Sequence, residues 1–351
     1  MRVAALVLLA ACGRVDFDVA TRFRKLLVID HAQVAGELAD FPVLVELHDA
    51  DLSAHARADG FDLTFRDASG QVLAYERENY TASPPALVAW VKVPQVSAAA
   101  DTRRELDYGD PAATDQAQPA AVWSNAFVGV YHFGDGTNLS AHDSTGVNDG
   151  TDNGGIASAD AVIGGALRLD NTGNTTHNVT SPLAGADATA GALTTVTFWL
   201  EFPGPFDKGP FAFTSGSNAY DVWFQRNGCE GFNTQQGELL GMTATVDPSW
   251  HHVAVVFYNG VPDASHNRIY LDGVSQVLSP CVAGTPSTRV VQGLANWGGN
   301  SSGGVNYQIT GAIDEGHIAR GERPPEWILT EIANQRSPET FVTAGPEQPA
   351  P

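Results

Sequence analysis

Basic residues are scarce. The 351-residue chain carries 19 Lys and Arg against 40 Asp and Glu, a formal net charge of −21. Without a basic cluster, nucleic acid is excluded as a partner, because binding it rests on neutralising phosphates. Sulfated and other anionic polymers are disfavoured for the same reason; calcium, neutral glycans and proteins are left. Long apolar runs are also missing. After Cys12 none approaches the roughly 18 residues of a spanning helix, so the expectation is a body outside the bilayer. Signs of catalysis are few. There is no G-x-S-x-G and no H-E-x-x-H. A retaining glycosidase holds two carboxyls about 5 Å apart, and alternating acidic positions of one strand would place both on one face. Here Asp314 and Glu315 are adjacent and are expected to face opposite ways. The chain reads as a binding or structural protein, not an enzyme.

What is plentiful points to strands. Glycine (36) and proline (20) are abundant, 43% of residues are apolar and only 17% are charged, a balance that favours strands and turns over helices. The length suggests two domains. The start, "MRVAALVLLAACGRVDF", has Arg2 as a one-charge n-region and Val3–Ala11 as a short apolar core, an export signal. Leu9-Ala10-Ala11-Cys12 resembles a bacterial lipobox. That resemblance implies cleavage after residue 11, diacylation of Cys12 and a short tether over 12–22. Gly13, in place of an Asp, favours the outer membrane, so the expected location is the bacterial cell envelope. With Cys12 acylated, only Cys229 and Cys281 remain, and one pairing is possible. A disulfide there would stabilise the fold by about 4 kcal/mol on the chain-entropy model and would persist in an exported protein. Two separate buried thiols are the alternative.

A β-rich domain is expected over 23–121. "KLLVID" (25–30), "PVLVEL" (42–47) and "LVAWVKVP" (87–94) are apolar strand-like runs, and 61–80 reads strand, turn, strand around Asp67-Ala68-Ser69-Gly70. Glu76 and Glu78, two apart, share one face and read as exposed charges on a solvent face. Residues 97–121 look like a connector. The second half, 122–345, is a run of strands ahead of a 346–351 tail. "LTTVTFWLEF" (193–202) alternates Val196, Phe198 and Leu200 with Thr195, Thr197 and Trp199. Asp272-Gly273 marks a two-residue hairpin. One helix is expected at 324–335, with Pro at its start and Trp327, Ile328 and Ile332 as anchors.

"VYHFGDGTNLSAHDSTGVNDGT" (130–151), "IGGALRLD" (163–170), "VTFWL", "SWHHVAVVFYNG", "RIYLDGV" and "GAIDEGHIA" (311–319) follow in that order over the second half. Together they resemble a laminin-G-like jelly roll of the concanavalin A-like lectin/glucanase superfamily. "FPVLVEL", "ADGFDLTFRD", "LVAWVKVP" and "YGDPAATDQAQPAAVW" resemble a bacterial domain of unknown function that often precedes it. The resemblance implies an all-β chain: a β-sandwich-like domain, then a jelly-roll sandwich with one short C-terminal helix. Arg103-Arg104-Glu105 departs from the apolar strand of relatives and reads as a solvated edge. Related jelly rolls often carry a structural calcium, a hard cation that suits carboxylates. Asp135, Asp143 and Asp314 match the regions that would meet around it, while turn chemistry alone is the other reading of the crowded 130–151 stretch. Neither spacing nor a helix supports zinc at His132 and His142, and His251-His252 reads as structural. For a neutral glycan or protein ligand the jelly-roll loop 295–307 is the candidate. Trp297 would stack a sugar face or else pack at the strand end, Asn300 and Asn306 would bond hydroxyls, and Trp223 is a weaker candidate.

Overall fold

The computed structural model of the chain describes residues 22–350 except 173–174, 205–206, 235, 244–245, 300 and 303–304. Cys12, the export signal and all but the last residue of the tether lie outside the described residues. Among the described residues, no helix is long and apolar enough to cross a membrane.

The chain is mostly β and folds as two sandwiches packed against each other. In the first, a three-stranded sheet of Leu38–Leu47, Pro85–Val96 and Tyr75–Ala82 faces a sheet built on Phe23–Ile29, Thr102–Tyr108 and Thr64–Arg66. Leu27, Phe41, Val43, Val45, Phe65, Tyr75 and Val91 fill the space between them. The strand with Arg103-Arg104-Glu105 is no edge. It lies between Phe23–Ile29 and Thr64–Arg66, and its acidic residues are paired on the outer face. Arg24 pairs with Glu105 and Asp107, and Arg66 pairs with Asp107. Leu106 turns inward and is fully buried.

The second sandwich has two eight-stranded sheets. One is centred on Leu193–Glu201, Trp250–Tyr258 and Gly311–Arg320; the other on Lys208–Ser215, Asn218–Arg226 and Leu294–Trp297. Val196, Phe198, Leu200, Phe211, Val255, Phe257 and Trp297 make its core. Asp272 and Gly273, with φ of 49° and 79°, form the expected hairpin turn, where left-handed backbone matches strand twist. Cys229 and Cys281 are joined in a disulfide, their Cα atoms 6.2 Å apart.

The last segment does not end with the jelly roll. After the helix Pro325–Arg336, the chain returns to the first sandwich, where Val342–Ala344 and Gln348–Pro349 pair with Phe23–Ile29. Residues 338–349 therefore belong to the first sandwich, because they cover the edge that Phe23–Ile29 would otherwise expose. The helix wedges between the two bodies. Trp327 packs into the first core, while Ile328 and Ile332 pack on Trp199 and Ala254, on the outer face of the second.

Candidate functional site

Strands buried on one face alternate; strands buried on both read as continuous apolar runs. "PVLVEL" and "LVAWVKV" are of the second kind. Val43, Val45 and Val91 enter the first core, while Leu44, Val88 and Trp90 turn toward the jelly roll, against Trp123, Val130 and Ile163. Glu76 and Glu78, on the neighbouring strand, share that outward face. They are not solvent charges: their side chains are 10% and 7% exposed. The jelly-roll sheet lies over them.

From that sheet come Glu315 and His317. The ladder between Leu193–Glu201 and Gly311–Arg320 slips between Thr197 and Trp199, and Glu315 takes a left-handed φ of 49°. Such a bulge re-aims a side chain. Asp314 and Glu315, adjacent in sequence, therefore do not face opposite ways. Asp314 lies opposite Trp199 on the outer face, and Glu315 joins it there, bonded to two histidines. The result is a buried line of alternating carboxylates and imidazoles. His132 Nε2 lies 3.4 Å from Glu76 Oε2 and its Nδ1 2.9 Å from Glu315 Oε2. His317 Nε2 lies 3.2 Å from Glu315 Oε2 and its Nδ1 2.9 Å from Glu331 Oε1. Glu76 also accepts from Trp123 Nε1 and Ser144 Oγ, each at 2.6 Å, and Glu78 Oε2 accepts from Trp90 Nε1 at 2.8 Å.

Burial disfavours every charge here, and the neighbours decide which survive. Burial would lower His132, but the carboxylates of Glu315, Glu78 and Glu76 hold its pKa well above the ordinary histidine value. Burial would raise Glu315, but His132 and His317 hold it down to about 2. Glu78 is pushed up to about 8 by burial, with the Glu315 charge adding to the effect. Asp314 is likewise raised well above the usual carboxylate range by burial and by Glu315. Glu78, His132 and Glu315 each offer a ligand atom within 4.8 Å of the others. Asp30, His31 and Asp101 form a similar but more exposed group on the first sandwich.

A cleft of about 510 Å³ opens over this line where the domains meet. Glu76, Arg77, Glu78 and Asp115 line it from one side, and His132, Asp135, Asn138, Ser140 and His142 from the other. Arg77 and Asp115 form a bidentate pair at 2.8 and 3.1 Å. The 130–151 stretch is thus one wall of an interdomain cleft. A cleft of similar size, about 530 Å³, lies wholly on the first sandwich, beside the ion pairs of Arg24 and Arg66.

The residues expected to hold calcium do not gather. Among the described residues, Asp135, Asp143 and Asp314 form no common group of ligand atoms, and each is taken up by the chain's own donors. Asp143, fully buried, accepts from the N–H groups of Val130, Thr145 and Asn148 and from Thr145 Oγ1. Asp135 closes an exposed turn through Thr137 and Asn138. Asp314 accepts from Val162 and Ile163 N–H. Nor is Trp297 a stacking platform. It is 0% exposed and packs among Tyr131, Phe133, Phe198 and Phe211. Trp223 is also buried, against Tyr307. Asn300 lies outside the described residues; Asn306 sits in a short strand pair with Ser301. His142 is exposed and pairs with Asp149, away from the buried His132. His251 bonds Asp272, and His252 is buried against Trp199, so the pair does serve structure.

Comparison with known families agrees with this architecture. Residues 171–329 match the model of the concanavalin A-like lectin/glucanases superfamily, Laminin_G_3, and residues 59–146 match a domain of unknown function, DUF2341. The chain joins a DUF2341 domain to a concanavalin A-like domain. The DUF2341 match runs on to residue 146, so it takes in Glu76, Glu78 and His132 together. No curated protein matches the chain. Among solved structures, domain 4 of the extracellular arabinanase AbnA from Geobacillus stearothermophilus, in complex with arabinotriose, is 19% identical. It has a TM-score of 0.44, over 59% of this chain and 98% of that one. The binding domain of botulinum neurotoxin serotype D is 11% identical, with a TM-score of 0.45 over 60% and 52%. A Trypanosoma rangeli sialidase is 13% identical, with a TM-score of 0.41 over 60% and 33%.

Proposed function

We propose that this chain is a binding protein of the bacterial cell envelope, anchored through Cys12, that takes a neutral glycan at the cleft between its two domains. The observation that carries the reading is the cleft itself. Its volume of about 510 Å³ is of the size that encloses small ligands, and it is walled by a few convergent polar groups. Amide, hydroxyl and paired-ion groups suit sugar hydroxyls, whereas the surplus of carboxylates repels anions. The same geometry speaks for binding over hydrolysis. Glu78 and Glu315 both bear on Nδ1 of His132, so the imidazole engages the carboxyls that a glycosidase would turn to a sugar.

The test is a glycan array on the soluble body, residues 20–351, followed by titration of any hit. A neutral oligosaccharide should bind, and Asn138→Ala, at an exposed position, should weaken it with the melting temperature unchanged. A clean array together with a reproducible protein partner would favour the alternative, a structural or assembly lipoprotein of the envelope.

A further inference from the structure

We infer that Glu78, His132 and Glu315 form a site for a divalent transition ion, of the zinc class, that ties the two domains together. The three ligand atoms lie within 4.8 Å of one another, and an ion enters by opening the hydrogen bond between His132 Nδ1 and Glu315. His132 Nδ1 lies 2.9 Å from Glu315 Oε2 and 3.6 Å from Glu78 Oε2. Around a four-coordinate ion with bonds of about 2.0–2.2 Å, ligand atoms stand roughly 3.3–3.6 Å apart. The outer partners are also in place. A histidine that binds a metal usually hands its other ring N–H to a carboxylate, and metal-bound carboxylates are themselves hydrogen-bonded. Here Nε2 of His132 faces Glu76, Glu315 is next to His317 Nε2, and Glu78 accepts from Trp90.

An independent observation points to a missing partner. Glu78 Oε1 has no hydrogen-bond partner, although its side chain is only 7% exposed. A buried carboxyl oxygen left bare is costly, and an ion held through both Glu78 oxygens would remove that cost. Mixed imidazole and carboxylate ligands favour zinc or a neighbouring first-row ion over calcium, which wants six to eight oxygens. Glu78 and His132 line the cleft, which gives the ion its way in and leaves a coordination position facing it. Entry displaces the protons of His132 Nδ1 and of the Glu78 carboxyl to solvent. Because Glu78 comes from the first domain and the other two ligands from the second, the ion fastens the junction. The inference does not depend on a glycan ligand.

The experiment uses the full chain, stripped with a chelator and titrated with zinc against a chromophoric competitor. One equivalent should bind and raise the melting temperature. Glu78→Gln should lose at least tenfold in affinity. Glu76→Gln, a positioning residue, should lose roughly 10–100-fold, and it decides the matter if Glu78→Gln does not fold. His31→Ala, in the exposed group on the first sandwich, should change nothing. The inference is overturned if the folded wild-type chain binds no stoichiometric zinc, or if binding survives both Glu substitutions.

Discussion

Asp143 shows how a carboxylate suited to calcium can be committed elsewhere. Both its oxygens are used by donors of its own loop and of the strand Phe127–Tyr131. Asp143→Ala would strand the buried N–H groups of Val130 and Asn148, each worth about 1–3 kcal/mol. We expect a loss of roughly 2–5 kcal/mol in urea unfolding, well beyond a single surface turn. Added calcium should leave the melting temperature of the wild type flat; a calcium-specific rise would contradict this assignment. His252 makes a second residue-scale case. Burial lowers its pKa from 6.5 to about 4, and neither ring nitrogen has a partner. The folded state keeps it neutral while the unfolded chain takes up a proton. Its contribution is therefore complete above about pH 6.5 and is lost as pH falls through about 4. At about 1.4 kcal/mol per pH unit the loss approaches roughly 3 kcal/mol. As pH falls across that window wild type should lose this amount of stability relative to His252→Leu; parallel curves would show that His252 is not buried neutral.

At the scale of elements, the bulge at Glu315 decides what the last jelly-roll strand can do. Strict alternation sends Asp314 and Glu315 to opposite faces; one extra residue and a left-handed φ put both, with His317, on the outer face. No residue pattern in "GAIDEGH" announces that slip. Gly316 makes it possible. A Cβ there would sit 2.9 Å from ring atoms of Trp297, so Gly316→Ala should cost about 1–3 kcal/mol by overpacking. It should also displace Glu315 and His317. A urea midpoint within error of wild type would show that the Trp297 ring yields freely. Other elements were legible. The alternation in 193–202, the Asp272-Gly273 hairpin and the helix near 324–335 all appear where local pattern places them. The unbroken runs "PVLVEL" and "LVAWVKV" carried the message that both faces are covered, and with it the clue that Glu76 and Glu78 would be buried. What could not be read was which sheet covers them. That depends on packing between residues more than 200 positions apart, as with Glu76 and Glu315.

For the whole molecule, the two sandwiches do not behave as beads on a string. Trp90 and Trp123 are buried at their junction with rings 5.3 Å apart. Asn334, on the helix Pro325–Arg336, bonds both the N–H and the carbonyl of Leu44. Past that helix, Phe341 and Val342 enter the first core, and the chain closes the sheet in which it began. The first sandwich thus needs residues from both ends of the sequence, with the second inserted between them. Unfolding either body would expose the junction aromatics and the charged line beneath them, at a cost the other would share. Calorimetry of the wild type should therefore give one cooperative transition. A chain ending at Ser337 would uncover the edge of Phe23–Ile29 and remove two fully buried side chains. It should melt several degrees lower, since each kcal/mol shifts a protein of this size by roughly 2–4 °C. Loss should appear across the whole transition, because the helix that spans the junction would lose its footing on the first core. Two resolved transitions in the wild type, with truncation moving only one, would show instead that the sandwiches fold independently.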